Sequence, residues 1–266
     1  MRKACLWAVA IAFVSAGTAV TDAQDMMRNV DLSSPEMTTA EMTRAQVEAA
    51  VAAAAPSRAA DFTGKRLSGL DLSGLDLSGA VFRAARLNKT NLAHARLDRA
   101  VLDQAWLLDA DLRGANLAGA SMFATQMRHA NLDGADLSGA RVVADLTGAS
   151  LIGATLAAAR MGADMKNQSM GLMRAVLTSA KLDRANLRGA DLSRADLEFA
   201  SLKEADLTDA SLNGAALGGA DFTAAIVAGA DFSGADLAST RLVAPIGLDA
   251  AKNLGKAQNL DRAIRN

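Results

Sequence analysis

The sequence has few aromatic residues and almost no cysteine, histidine or proline. Of its 266 residues only 3% are aromatic, Tyr is absent, and there are one Cys, two His and three Pro, although 51% are hydrophobic. A core made from such a sequence consists mainly of Ala and Leu, and it must be thin because large rings are missing. A single Cys also excludes an internal disulfide.

A dominant charge of one sign is missing as well, since 28 Lys and Arg residues stand against 29 Asp and Glu residues. Such a close balance gives no net field that would attract nucleic acid or an anionic membrane surface. We therefore expect neither of these as a partner of the protein.

The first 23 residues have the pattern of a signal peptide. Arg2 and Lys3 supply positive charge, residues 4–14 form the apolar stretch, and small residues precede a cleavage site after Ala23, with an alternative site after Ala19. The apolar stretch is short for a bilayer span, which argues against a retained anchor. We expect residues 1–23 to be removed, no membrane insertion afterwards, and a periplasmic or secreted bacterial protein.

A period of five residues runs through the rest of the chain. Every fifth residue is apolar from Phe62 to Val142, at 17 of 17 positions, and from Leu172 to Leu242, at 15 of 15 positions. We call these residues the centres of the repeats. The residue two places before the centre is Ala in 12 of the first 17 repeats and in 13 of the last 15. The pattern therefore specifies both a large and a small apolar position.

No ordinary helix or strand keeps these centres together. Five residues advance an α-helix by roughly 140°, and five is an odd number in a strand, so the centres would point in different directions in both. The chain must turn once per repeat to place every centre inside. Glycines supply the backbone freedom for many of these turns. They include Gly69, Gly74, Gly79, Gly114, Gly119, Gly134 and Gly139.

Repeats such as Ala110–Gly114 and Ala190–Arg194 carry the whole motif Ala-(Asp/Asn)-Leu-x-x. This motif, found over most of residues 60–244, resembles the pentapeptide-repeat family. The resemblance implies an all-β fold, a right-handed quadrilateral β-helix in which four repeats make one square coil with the central Leu and the Ala inside. At a spacing of about 4.8 Å between coils, the repeats would form roughly nine coils in a rod a little over 40 Å long.

Segment 143–171 departs from the period. The centre after Val142 is Leu146, one residue early, and the original phase returns only at Leu172. The segment also holds a weak repeat at 167–171. We expect a bulge, kink or loop that divides the solenoid into two stacked segments, and harmless drift between repeats is an equally good interpretation.

The ends of a solenoid expose its apolar core unless other residues cover them. In the linker and cap region 24–59, Thr38 and Glu41 match a capping box that predicts a helix over about 38–55. We expect it to cap the first coil, and its polar face has too few Lys and Arg for a helix that lies on lipid. After Pro245 the period becomes six, and we expect residues 245–266 to form a C-terminal cap or tail.

The sequence brings no catalytic, cofactor-binding or metal-binding residues together. His94 and His129 fall on different faces of the expected coil, and the glycines lack the strand-to-helix context of a phosphate-binding loop. The regularly spaced Asp residues fit the outward polar position of the repeat. We therefore predict no catalytic, cofactor or metal site and no enzymatic activity.

Two classes of function remain. The first is an exported structural or protein-interaction scaffold with an unknown protein partner. The second follows from the resemblance, because some relatives mimic duplex DNA and bind DNA gyrase. The outward ladders of the first coils mix acids with amides and a base: Asp71, Asn91, Asp111, Asn131 and Asp76, Arg96, Asn116, Asp136. A DNA mimic needs a dense row of negative charge, so we favour the scaffold.

One surface is a candidate for binding a partner. The phase of the repeat points four apolar side chains outward on two adjoining faces, namely Val101, Trp106, Leu108 and Phe123. A contiguous apolar group that includes Trp and Phe is a common mark of an interaction site, and a second copy of the chain, in a homodimer, is one candidate partner. The alternatives are that the N-terminal cap or segment 143–171 covers these residues, or that they pack on one another.

Overall fold

The computed structural model describes residues 30–54, 59–163 and 173–265, and most of them form one four-sided solenoid. In each repeat, the residue before the centre forms a parallel β-bridge with its counterpart in the next coil, as Asp71 does with Asn91. We call this residue the ladder position and the residue two places after the centre the turn position. The expected signal peptide at 1–23 lies outside the described residues.

Four faces form the sides of the solenoid, and we number them by their first ladder residue. Face 1 begins at Asp61, face 2 at Arg66, face 3 at Asp71 and face 4 at Asp76. Each coil adds one ladder residue to each face. Within the described residues nine coils begin on face 1, at the centres Phe62, Phe82, Leu102, Met122, Val142, Met161, Leu192, Leu212 and Phe232.

Hydrogen bonds between coils replace the long strands of an ordinary sheet. The Leu112 amide donates to the Asn131 carbonyl of the next coil at 2.7 Å. Within the coil, the Ala115 amide donates to the Leu112 carbonyl at 3.0 Å and closes the turn. Two longer strands, β1 (Ser121–Gln126) and β2 (Arg141–Asp145), pair in parallel. The chain is thus hydrogen-bonded along the axis of the solenoid, and each coil templates the next.

Glycine is not required at the turn position. Gly114 has φ 61°, yet His94 and Phe199 have φ 58° at the same position of other repeats. This left-handed backbone costs a non-glycine residue roughly 1–2 kcal/mol. The turns therefore depend on the contacts between coils as well as on the glycines that the sequence singled out.

The core is a stack of centres and alanines. Leu112 is fully buried, and Ala110, two places before it, is 1% exposed. Phe62 and Phe82 occupy successive centres of face 1 and stack with their ring centroids 5.1 Å apart. Each buried Leu contributes roughly 1.5–3 kcal/mol by leaving water, and the small alanine lets the coil close around it. The predicted all-β solenoid with the centres inside is confirmed.

The solenoid continues through most of the segment that breaks the period. From Val142 to Met161 the chain forms regular repeats shifted by one residue, and a bulge in β1 absorbs the shift. A second change follows Met161, where the Ala175 amide donates directly to the Met161 carbonyl at 3.1 Å. The described chain on the two sides of residues 164–172 therefore meets at one corner of the coil, and the ladder continues from Asp145 to Val176. The bulge that the sequence led us to expect is present in β1. The weak repeat 167–171 lies outside the described residues.

The N-terminal helix begins later than predicted. A single turn, α1 (Pro35–Thr38), precedes the longer helix α2 (Arg44–Ala53). The capping box of α2 is made by Thr43, whose hydroxyl accepts from the Gln46 amide at 3.3 Å while its own amide donates to Oε1 of Gln46 at 2.8 Å. The predicted box of Thr38 and Glu41 is wrong because residue 41 pairs with the first coil instead.

Helix α2 covers the N-terminal end of the core. Val47 is fully buried in the core, and Ala50 and Val51 pack against it. The Arg44 guanidinium donates to the carbonyls of Asp71 and Ser73 at 3.0 and 3.1 Å and fixes the helix on the first coil. Among the described residues, no helix is long and apolar enough to cross a membrane.

The C-terminal tail is one more coil, built with a period of six. Lys252 bridges to Asp231 and Gln258 bridges to Asp236, so the ladders of faces 1 and 2 continue into the tail. Its turns are three short 3₁₀ helices, Leu248–Ala250, Leu254–Lys256 and Leu260–Arg262. The leucine that begins each of them packs partly buried against the core. The tail therefore covers the last regular coil.

The buried centres give a direct test of the fold. Leu212→Asp places a charge in a narrow apolar core, and we expect it to cost several kcal/mol of unfolding free energy. Asn213→Asp is the matched control, because this neighbouring side chain is exposed, and it should change stability little. Urea titration followed by circular dichroism measures both. Equal stability of the two variants would contradict the assignment of the centres to the core.

Candidate interaction face

The four apolar residues that the sequence nominated do not form one exposed patch. Val101 and Trp106 are half-buried in the ladders of faces 1 and 2, between their neighbours in adjacent coils. Leu108 is buried, and Phe123 is half-buried. Binding through these four residues stays a prediction, and the surroundings of Leu108 and Phe123 show what lies against them.

Leu108 is 9% exposed because the N-terminal segment of residues 31–42 lies over it. Together with Leu32 and Met37 of that segment it lines a hollow of about 390 Å³. The Leu108 amide also donates to Oδ1 of Asn88 at 3.0 Å. This arrangement agrees with one of the alternatives stated from the sequence, cover by the N-terminal cap.

Phe123 belongs to a small apolar cluster with Ala124, Val143 and Met173. Met173 is the first described residue after 164–172, and it is 7% exposed. The Arg141 guanidinium lies 4.2 Å from the centroid of the Phe123 ring. Residues of the same chain thus contact the Phe123 ring, through the apolar cluster and through the Arg141 guanidinium.

The two histidines lie apart, as predicted. His94 is at a turn position of face 3 and His129 at one of face 2, and each ring lies over the glycine of the next coil, Gly114 and Gly148. Within the part of the chain that the structure describes, no three His, Cys, Asp or Glu residues are grouped as metal ligands would be.

The N-terminal half of face 2 already holds a polypeptide segment. The Glu41 amide donates to the Arg66 carbonyl at 2.9 Å, and the Arg66 amide donates to Oε1 of Glu41 at 3.2 Å. One coil further on, Nδ2 of Asn88 donates to the Met37 carbonyl at 3.1 Å, and the Met37 side chain is 4% exposed. Segment 31–42 therefore crosses the first three coils of this face and is bonded to it through its backbone.

The C-terminal half of the same face presents Phe199 to solvent. Its side chain is 66% exposed, the largest value among the exposed large hydrophobic residues of the described chain. The ring lies over Gly219 of the next coil, where an added Cβ would be 2.7 Å from the ring Cδ1. The ring is thus seated on the solenoid. The sequence carried this signal, because the phase of the repeat points residue 199 outward, but a single Phe without apolar neighbours was not singled out.

Small residues leave the space beside Phe199 open. The ladder residue of the next coil is Ala216, and the positions beyond it are Gly218 and Ala238. An added Cβ on Gly218 would meet only Cγ of Glu198 and the Ala238 carbonyl, both at 3.8 Å, and Oε1 of Glu198 at 4.0 Å. A partner can therefore approach the backbone of the coils closely next to the ring.

Carboxylates surround this open floor. Asp196 and Asp236 are ladder residues of face 2, and Glu198 lies between them beside Gly218. Partial burial, and then the negative charge of Asp196, raise the pKa of the Glu198 carboxyl, while Arg174 opposes them. Arg174 itself pairs with Asp196 at 3.1 Å. The C-terminal half of face 2 is therefore an acidic surface with one exposed aromatic ring.

Comparison with known families and structures places the chain among repeat proteins. The family model "Pentapeptide repeats (8 copies)" matches five overlapping ranges, 66–104, 95–127, 107–142, 172–209 and 200–238, which together include more than half of the chain. No curated protein matches.

Two solved structures illustrate the likeness. One is HetL from the cyanobacterium Nostoc sp., a pentapeptide repeat protein involved in the regulation of heterocyst differentiation; it is 31% identical over 84% of this chain and 95% of HetL, with a TM-score of 0.49. The other is a trypsin-treated form of QnrB1, a plasmid-mediated fluoroquinolone resistance protein, 16% identical over 74% of this chain and 91% of QnrB1, with a TM-score of 0.52. The second likeness concerns the fold alone, and it supports the right-handed quadrilateral β-helix.

The contact of the Phe199 ring with Gly219 is tested by Gly219→Ala. Gly139 is the matched control, because it has a similar φ (64° against 68°) but no atom within 4 Å of an added Cβ. Both substitutions should cost roughly 1 kcal/mol through the left-handed backbone, and Gly219→Ala should cost more because the ring must move. In a Phe199→Ser background the two costs should become equal. Calorimetry measures the difference, and equal costs already in the wild type would contradict a seated ring.

The acidic field is tested by Glu198→Gln. Because its pKa is raised in the folded protein, the ionised carboxylate opposes folding at neutral pH, and the effect disappears as the pH falls through that pKa. The variant should therefore melt higher than the wild type near pH 7 and equal to it at about pH 3, where the Glu198 carboxyl is protonated in the folded and in the unfolded protein. Glu204→Gln on face 3 removes the same charge and should change little. A Glu198→Gln variant that melts at the same temperature as the wild type near pH 7 would contradict the acidic surface around residue 198.

Proposed function

The chain belongs to the pentapeptide-repeat family, and on that premise we propose that it is an exported, non-catalytic scaffold that binds another protein along face 2. The observation that carries the proposal is the contrast between the two halves of this face. Its first three coils are covered by segment 31–42, which is bonded to them, whereas its later coils present an exposed Phe199. The same kind of surface is thus filled near the N-terminal end and open towards the C-terminal end.

Rigidity supports a role in binding. Ladder residues are held in rows by bridges to the coils before and after them, as Ala216 is by Asp196 and Asp236. A surface that is ordered before binding loses little conformational entropy when a partner arrives. The solenoid can therefore bind through a small number of well-placed groups, and Phe199 is the most exposed large hydrophobic residue of the described chain.

Export is supported by the sequence rather than by the fold. Residues 1–23 have the composition of a signal peptide, and the only Cys of the chain lies within them. The mature protein would then contain no thiol, which suits an oxidising compartment such as the periplasm.

Binding of DNA gyrase as a mimic of duplex DNA has less support. Among the bridged ladder pairs of the described residues, no Asp lies opposite another Asp; Asp196, for example, is separated from Asp236 by Ala216. Ladder acids therefore follow one another on alternate coils at best, about 9.6 Å apart, and such a row is sparser than the phosphates of a DNA strand. The likeness to QnrB1 concerns the fold and adds no support for this function.

The proposed binding is tested by capture from the native compartment. The full chain, Phe199→Ser and a control, Ile246→Ser, would be expressed with C-terminal affinity tags and crosslinked before purification. Ile246 is also an exposed apolar residue, at 57%, but it lies at the end of face 4. We expect a protein that is captured by the wild type and by the control and is lost with Phe199→Ser. The same proteins bound by all three would contradict binding through face 2.

Export has a separate readout in the same cells. The intact mass of the tagged protein should correspond to a chain that begins at Gln24, and the protein should be found in the periplasm or the medium. A full-length chain in the cytosol would contradict export, but it would not affect the test of binding through face 2.

A further inference from the structure

The filled half of face 2 shows which chemistry this face uses to hold a segment. Four basic residues and one acid lie along the three covered coils, namely Lys65, Arg66, Arg86, Lys89 and Asp109. The segment that covers them, residues 31–42, contains three acids and no basic residue. The Glu41 carboxylate lies 3.7 Å from Nζ of Lys65 and 3.6 Å from Nε of Arg66. An acidic segment is therefore paired with a basic half of the face.

The open half has the opposite charge. Its acids are Asp196, Glu198 and Asp236, and the described base beside them, Arg174, is already paired with Asp196. The coils around it carry an excess of acids, since residues 173–240 contain ten Asp and Glu and six basic residues, and five of those basic residues precede Asp196. The acidic N-terminal segment of this chain would be repelled here, so a different occupant is required.

From this complementarity we propose that the C-terminal half of face 2 binds a basic, extended segment of a partner protein, with an Arg or Lys side chain over the ring of Phe199. The proposal rests on the proposed function and names the chemistry of its partner. The same chain already contains a contact of this kind, because the Arg141 guanidinium lies 4.2 Å from the centroid of the Phe123 ring. At Phe199 the ring is exposed and carboxylates are at hand to pair with the cation.

The size of the open half limits the length of the segment. From Val176 to Asp236 the ladder of face 2 rises through three coil spacings, or about 14 Å. An extended chain covers this distance in about four or five residues. Two or three basic side chains are enough to pair with the three acids. The backbone of the segment between these side chains can lie against Ala216 and Gly218.

The test uses the full chain and two synthetic probes. One is a fluorescein-labelled peptide of nine residues in which Arg alternates with Leu, and the other has Glu in place of every Arg. Binding would be followed by fluorescence anisotropy at low salt and at about 0.15 M salt. The variants are Phe199→Ser and Glu198→Lys, with Glu204→Lys as the control that changes the charge equally on another face. Circular dichroism confirms that each variant is folded.

We expect the Arg peptide to bind the wild type more weakly as salt increases, and the Glu peptide not to bind. Phe199→Ser and Glu198→Lys should each weaken binding at least about fivefold, and Glu204→Lys by less than about twofold. Equal weakening by Glu198→Lys and Glu204→Lys would assign the binding to the diffuse acidic field and overturn the proposal. Binding unaffected by Phe199→Ser would overturn it as well.

Two other outcomes separate this inference from the proposed function. If the wild type captures a partner through Phe199 but neither peptide binds, or the Glu peptide binds better, the scaffold function stands and the basic segment is wrong. If sedimentation shows self-association that depends on Phe199 and the Arg peptide does not bind, the occupant is a second copy, and the inference is again overturned.

Discussion

Burial of one large apolar side chain in every five residues is the constraint on which the rest of the structure depends. Because neither a helix nor a strand can bury centres at this spacing, the chain turns after each of them and returns to the same face after four repeats. Leu112, for instance, donates through its amide to the coil above while its side chain fills the core. The fixed rows of outward side chains are a consequence of this geometry.

The rows give each face a composition that can change along the axis, and face 2 uses this freedom. Its first coils are basic and are covered by an acidic segment of the same chain, whereas its later coils are acidic and carry an exposed ring. A scaffold of this kind needs no cleft. It binds through a flat strip whose positions are set by the coils. The basic part of the strip holds an acidic segment, and the acidic part is proposed to hold a basic one.

The sequence predicts the solenoid well because the fold follows from a local period. Where the structure differs, a contact between distant residues decides the outcome. Thr38 and Thr43 both begin sequences that fit a capping box. Glu41 pairs with Arg66 instead of with Thr38, whereas Gln46 completes the box of Thr43. Likewise, the period points Leu108 outward correctly, but it does not indicate that segment 31–42 lies over this position. Phe199 was within reach of the sequence, since its outward position follows from the phase alone.

Continuity of the hydrogen-bonded ladder is the central claim, and amide hydrogen exchange tests it most directly. The amides of the centres donate between coils on both sides of the phase shift, as those of Leu132 and Leu151 do at 2.6 and 2.7 Å. One continuous solenoid predicts protection that is highest in the middle coils and declines only towards the two ends. Fast exchange at the centres from Leu146 to Met161, between two separately protected blocks, would contradict a single solenoid.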